Sequence, residues 1–569
     1  MSSLNEWFEK KFQQELNENP EWATIIGYKN NYNKLDDISD KKKNNNVDQY
    51  KNDLSELESF NVKDNIYYDT YKYELENRIQ DEEYRYYQYP IDHLDGIHTS
   101  FINFMINFHL IENKKDAWAY IQRLVLFEIK IDQTIENIKL RIDEKKGIPP
   151  TYIIDYIIND CNDIIKNNIE NDIFTNDIII KLKKISLDDK EKNILIECCR
   201  LVVQDIIIPS YKKLIICLEE TKKYSDNEDG VWKFKNPDYY LQMIRYHTTL
   251  KKINPDKIFE YGLFEVNRIH NEIYEKIMKP LNLTEYSIKQ FFLGIQKNEN
   301  FYLKNSKENK TKVIETYENY INTIKNNLDK VFITKPKNKL IIKEVEEYRI
   351  KSSVEAFYHE GSYVNKRPGI FYVNLYKIET SPTYQMESLA YHEGIPGHHL
   401  QVSIADELDN INIPKFKKYM IHNAYVEGWA LYSEYLAKEM GFFTDIFSDL
   451  GRLNYELLRA CRLVVDVGIH WKKWNKNYAM DYLIDNMIIS KYDAKKAIER
   501  YIVTPGQALS YKIGMAFILK LRENAREILK NKFDVREFHE ILLKDGSLPL
   551  SILKKNIKKY IYDKFSAKH

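Results

Sequence analysis

The sequence predicts a mainly α-helical protein, on three observations. Glycine (17) and proline (15) are scarce over 569 residues, which leaves room for long uninterrupted helices. Apolar residues recur at helical spacing over several long stretches. Strand signals, β-branched and aromatic residues behind a Pro-Gly turn, are confined to one short segment.

From Asp116 to Leu140, the residues Trp118, Ile121, Leu124, Val125, Ile129, Ile131, Ile135 and Ile138 keep the helical period. Ile194 to Leu218 does the same, as does Val313 to Leu328, where Val313, Ile314, Tyr317, Ile321, Ile324 and Leu328 line one face. The polar, low-complexity run from Asp37 to Asn46 is expected as a surface loop. Gly147-Ile148-Pro149-Pro150 ends a helix, because two successive prolines cannot continue one. Thr221 to Asp238 is expected as loop, with a soft boundary between a helical N-terminal part (1–230) and a part carrying the chemistry (231–569), unless both form one continuous domain. Arg367 to Leu375 carries the strand signals. It reads equally as a structural hairpin or as an edge that holds an extended peptide.

Charge is high but balanced, 85 basic against 85 acidic residues, so no net field draws the chain to nucleic acid or an anionic membrane. No apolar run reaches the ~18 residues of a membrane span. The five cysteines are odd in number and fit a reducing compartment better than a disulfide framework. The amphipathic start lacks the apolar core of a signal peptide, so a cytoplasmic location is expected.

The chemistry concentrates in His392-Glu393-Gly394-Ile395-Pro396-Gly397-His398-His399, which holds three of the 13 histidines. Neutral imidazoles are common zinc ligands, and a glutamate beside a metal-held water is a ready general base. The usual zinc spacing puts two histidines at i and i+4, one helical turn apart. Here that position is Pro396, and the next histidines stand six and seven places on from His392. In an unbroken helix, i+6 points about 120° away and i+7 lies roughly 10.5 Å along the axis. Pro396 cannot donate to the carbonyl of His392 and clashes with it, and Gly394 and Gly397 let the backbone turn. A break that brings His398 back beside His392 is expected, with His399 pointing toward substrate or a supporting partner. Which of the two is the second ligand stays open. Glu427 and Glu434 share a face of a helix that is otherwise apolar, as a third ligand and a group steadying an imidazole. His422 is a rival ligand that reads better as a core or surface histidine. His359-Glu360 is set aside as loop, with Gly361-Ser362-Tyr363 behind it.

Arg459, Arg462, Asp466 and His470 follow at three- and four-residue steps, one helix stripe. They read either as a structural ion-pair ladder or as functional groups: arginines that grip a substrate carboxylate and a histidine that donates to an oxyanion. After Pro505-Gly506, Gln507 and Tyr511 share a face, and a tyrosine donor complements a metal.

His392 to Gln401, Val426 to Glu434, Asp466 to His470 and Pro505 to Tyr511, with Arg367-Pro368-Gly369 through Asn374, resemble the family called Domain of Unknown Function 885. That family is similar to the helical gluzincin metallopeptidases. The resemblance implies a helical body with a long cleft, a small β-sheet at the cleft wall and zinc at its floor. By position it implies His392, His398 and Glu427 as ligands, Glu393 as base, and Tyr511 and His470 as oxyanion donors. Asn374, Arg462, Gln507 and His399 would line the substrate. The expectation is a zinc peptidase acting on short peptides. A non-catalytic helical binding protein, or a metal hydrolase of other amides or esters, is the alternative.

Overall fold

The computed structural model describes residues 3–166, 172–345, 350, 355–361, 366–407 and 413–566. It is mainly α-helical, 71% helix, with one three-stranded sheet among the described residues. No described helix is long and apolar enough to cross a membrane. The chain divides into two compact units: Met1–Lys63 with Glu74–Asp229, and Asp64–Tyr73 with Gly230–His569.

The first unit is built around the helix Lys114–Glu144, which covers the stretch read as helical from Asp116 to Leu140. Its Arg123 is fully buried, and neutral acceptors take up the guanidinium: Lys34 O, Thr24 Oγ1, Pro20 O and His109 Nδ1. A buried cation is tolerable only when its donors are filled in this way. Ile194 to Leu218 is helical throughout but passes through a π-helical turn at Val203–Ile207. The run expected as a loop around Asp37 to Asn46 is corrected: Asp40–Ser59 is a helix, started by Ser39, whose hydroxyl accepts the Lys42 N–H. The Ser39 N-cap and the burial of Asp53 and Leu57 on the same helix outweigh low complexity there.

In the second unit, α1 (Lys307–Lys325) packs Tyr317 against Phe371 of the sheet, ring centroids 5.0 Å apart. The sheet runs β1 (Leu340–Glu344), β3 (Gly369–Val373), β2 (Ala356–His359) in space. β3 is the predicted strand, and it lies in the middle, parallel to β1 and antiparallel to β2. Of the two readings of this segment, the peptide-holding edge is ruled out, because β3 is already paired on both sides. His359, set aside as loop, ends β2, while Ser362 and Tyr363 lie outside the described residues.

The site is framed by α2 (Met386–Leu389), α3 (His398–Asp406), α4 (Asn423–Glu439), α5 (Ile446–His470), α6 (Lys491–Val503) and α7 (Ser510–Leu529). α4 and α7 cross at two glycines. A Cβ on Gly514 would stand 1.9 Å from Ala424 O, and one on Gly428 would stand 2.5 Å from the Gly514 Cα. A buried ion network ties α7 to α5 and to the helix Pro255–Ile273: Lys512 Nζ sits 2.7 Å from Glu456 and 2.8 Å from Glu265.

The Gly514→Ala variant is expected to lose at least ~1–3 kcal/mol of stability, because the methyl meets backbone that cannot yield. Gly294→Ala, on a helix where a Cβ meets nothing within 4 Å, should gain about 0.5–1 kcal/mol. Urea unfolding of the two variants checks the pair; equal effects would refute the close helix crossing.

Candidate metal centre

The helix that begins with α2 loosens into a π-helical turn over Ala390–Gly394 and stops at Ile395, whose backbone is extended (φ −117°, ψ 128°). It restarts as α3 at His398. Pro396 and Gly397 make the break. A Cβ on Gly397 would lie 1.9 Å from His392 O and 2.4 Å from Tyr391 O, so only glycine lets the chain fold back this tightly. α4 holds the break from outside: Trp429 Nε1 donates to Pro396 O at 2.9 Å and Ser433 Oγ donates to it at 3.2 Å.

The break brings the His392 and His398 rings to a centroid distance of 4.9 Å, nearly perpendicular. One oxygen of Glu427, on α4, lies 3.8 Å from His392 Nε2 and 3.6 Å from His398 Nε2. Two ligand atoms each ~2.1 Å from one tetrahedral zinc stand ~3.4 Å apart. The donor set, two imidazoles and a carboxylate, and its spacing both fit such an ion. Ligand atoms of His392, Glu393 and His398 also lie within 4.8 Å of one another. Glu393 is positioned separately, by the backbone N–H of Tyr358 on β2, which donates to its Oε2 at 3.0 Å.

His392 is fixed from behind. Its Nδ1 meets Glu434 Oε1 at 2.7 Å, and Ser388 Oγ, one turn before His392, donates to the other Glu434 oxygen. This leaves Nε2 facing Glu427. Burial pushes the imidazole toward neutrality, but hydrogen bonds and charge from Glu427 and Glu434 outweigh it and raise its pKa to about 9. Glu427 is shifted the other way. Burial disfavours its charge, yet hydrogen bonds from His392 and His398 hold it well below the usual carboxylate range. The cluster is built to attract positive charge.

His399 faces away. It is buried, with Nδ1 3.1 Å from Tyr358 OH and 3.3 Å from Ser403 Oγ, and burial lowers its pKa to about 4. The imidazole beside Glu427 is that of His398, and the expected substrate contact from His399 is corrected: it supports β2 instead. His422 is also away from the cluster, buried against Ser547.

His470 is corrected as an oxyanion donor. Its Nε2 meets Tyr501 O at 2.9 Å and its Nδ1 takes the Val231 N–H at 3.3 Å, so both nitrogens are committed to backbone. Nor do the four residues of its stripe form an ion-pair ladder. Asp466 is fully buried and accepts from Tyr240 OH at 2.6 Å and from the Gly506 N–H at 3.1 Å. Burial raises its pKa to about 7. It anchors the turn that leads into Tyr511. Asn374 is corrected likewise: its Nδ2 donates to Ile350 O at 2.8 Å and its Oδ1 accepts from Tyr376 N, so it shapes the end of β3. Gln507 lies in a 3-10 turn rather than on the Tyr511 helix, and accepts from Arg500 at 3.4 Å.

Tyr511 opens α7 and is buried. Burial, then the nearby Glu427 charge, raise its pKa above the usual phenol value, so it keeps its proton to donate. The Arg462 guanidinium lies 4.4 Å from its ring centroid. Sequence reasoning missed Ser388 and Tyr358. Ser388 had a signal, one helical turn before His392; the Tyr358 contact is made by backbone and had none.

A family model described as "Bacterial protein of unknown function (DUF885)" matches residues 20–557. The fold is shared with two solved structures, each of a protein described as a "putative lipoprotein". The one from Colwellia psychrerythraea has 26% identity and a TM-score of 0.90, covering 98% of this chain and 99% of that one. The one from Shewanella oneidensis, of unknown function, has 17% identity and a TM-score of 0.76, with the same 98% and 99% coverage. No curated protein matches. The expected cytoplasmic location is corrected by the first of these relatives, which is described as a "putative lipoprotein".

In metal-free protein, His392 is expected to titrate near pH 9. Its folded pKa lies above the ~6.5 of an unfolded histidine, so its contribution to stability is full below pH ~6.5 and is lost as pH rises through about 9. Histidine-selective NMR titration checks this. Glu434→Gln should move the midpoint down; an unmoved midpoint would show that Glu434 does not hold the ring.

Proposed function

The chain belongs to the DUF885 family, and on that premise we propose that it is a zinc-dependent hydrolase that cleaves short peptides. One observation carries the reading: two imidazole Nε2 atoms lie 3.8 and 3.6 Å from a single carboxylate oxygen, with a second carboxylate beside them. His392, His398 and Glu427 would hold the ion, as in the gluzincin peptidases. When bound, zinc supplies a Lewis acid that makes water acidic enough to attack at neutral pH.

The chain's own groups supply the rest. Glu393 accepts the proton of the attacking water at its carboxylate and later gives it to the leaving amine. The Tyr358 N–H keeps one Glu393 oxygen occupied and leaves the other for that proton. Tyr511 donates its phenol proton in a hydrogen bond to the oxyanion that develops on the substrate carbonyl. Glu434 and Ser388 lock the His392 ring so that its Nε2 lone pair stays aimed at the cluster. The edge of β2 beside Glu393 offers backbone groups to an extended peptide.

Glu393→Gln is expected to keep one zinc per chain and lower kcat by ~10²–10⁴. His392→Ala should lose the zinc. Elemental analysis and a peptide-library digest read by mass spectrometry, with and without chelator, check both. Undiminished cleavage by Glu393→Gln would rule out this mechanism.

A further inference from the structure

Buried arginines in this protein are normally neutralised or saturated. Arg452 lies 2.7 Å from Asp449, Arg141 gives its N–H groups to oxygens of Gln88, Arg85 and Asn137, and Arg123 gives its own to four neutral acceptors. Among the described residues, two arginines near the metal centre break that rule, with a half-buried third beside them. Arg459 is 6% exposed; its Nη1 donates to Tyr455 O at 3.2 Å and its Nε meets no partner. Arg462 donates through Nε to Tyr501 OH at 2.9 Å, and its buried Nη1 is likewise unpartnered. Arg500, half-buried, donates to Gln507 Oε1 at 3.4 Å. Among the described residues, no carboxylate forms an ion pair with any of them.

All three gather on Tyr511. Arg462 and Arg459 lie 4.4 and 5.7 Å from its ring centroid, and the Arg500 charge acts on the same phenol. The carboxylate that Arg462 feels is Glu427, which the metal ligands already share. Desolvated guanidinium groups with spare N–H donors make a site for an anion brought in from outside, and their planar fork matches a carboxylate.

We infer that Arg459, Arg462 and Arg500 form a subsite for the C-terminal carboxylate of a peptide, so that the enzyme acts close to peptide C-termini. This rests on the peptidase reading above and adds its end preference. The carboxylate would dock beside Tyr511, which holds the substrate chain in place from the end that leaves.

One peptide sequence tests this in three forms: the free C-terminal acid, the C-terminal amide, and an amide whose last residue is Asp. Calorimetry with zinc-loaded Glu393→Gln reads binding without turnover, and wild-type protein reads cleavage by mass spectrometry. The free acid should bind ~10-fold or more tighter than the amide, and Arg462→Gln should remove the difference with zinc content unchanged. Equal affinity of acid and amide, or no binding of the acid, overturns the subsite. Stronger binding of the Asp amide than of the free acid also overturns it, in favour of an acidic side chain. Selective binding of the acid without cleavage would refute the hydrolase reading and leave the subsite standing; equal cleavage of acid and amide would do the reverse. The acid-to-amide ratio is measured on chains with Arg462 intact, so it stands even if the arginine variant fails to fold.

Discussion

A helix that stops at Gly394 and restarts at His398 brings together two imidazoles that an unbroken helix would hold about 120° apart around its axis. The fold-back needs a residue without a side chain at Gly397, since any Cβ there would overlap the His392 carbonyl. It also needs a brace, which α4 provides through Trp429 and Ser433 on the Pro396 carbonyl. The same α4 carries Glu427 and Glu434, so the element that holds the break also brings the carboxylates to the histidines. α4 is in turn set against α7 by the Gly428–Gly514 crossing, which puts Tyr511 near Glu427. One backbone irregularity and one close helix pair thus place every group that the proposed chemistry uses, save Glu393, which β2 holds.

Electrostatics explain why these groups can share so small a space. Glu427 and Glu434 both lean on His392, and His398 shares Glu427. Carboxylates brought this close in partly desolvated surroundings demand positive charge, and protons on imidazole or a divalent cation can supply it. The arginines on α5 and α6 extend the positive field past Tyr511, where a substrate anion would complete it. Lys512 points the other way, into Glu456 and Glu265, and serves the packing of α7 rather than the site.

Much of this is written in the sequence, and the exceptions have physical reasons. Long helices such as Lys114–Glu144 follow from apolar period alone. β1 and β2 do not, because five and four residues are too few to establish a period, and what makes them strands is their pairing with β3. The break at Pro396 was legible from the chemistry of proline and glycine. The choice of His398 over His399 was not, since it turns on the backbone path at Gly397 (φ −77°, ψ −129°), which no spacing rule gives. The stripe from Arg459 to His470 shows the limit most clearly. Its period is right, yet Asp466 and His470 bond to groups distant in the chain, Tyr240 OH and the Gly506 N–H for one, Val231 N–H and Tyr501 O for the other, and only the arginines are left with unfilled donors. Helical spacing reports which side chains share a face, not what that face meets.

Anomalous diffraction at the zinc edge, from crystals grown with stoichiometric zinc, tests the central claim most directly. One peak is expected within bonding distance (~2.0–2.2 Å) of His392 Nε2, His398 Nε2 and a Glu427 oxygen, with Glu393 outside that shell. A peak elsewhere, or none among these side chains at full zinc loading, would contradict it.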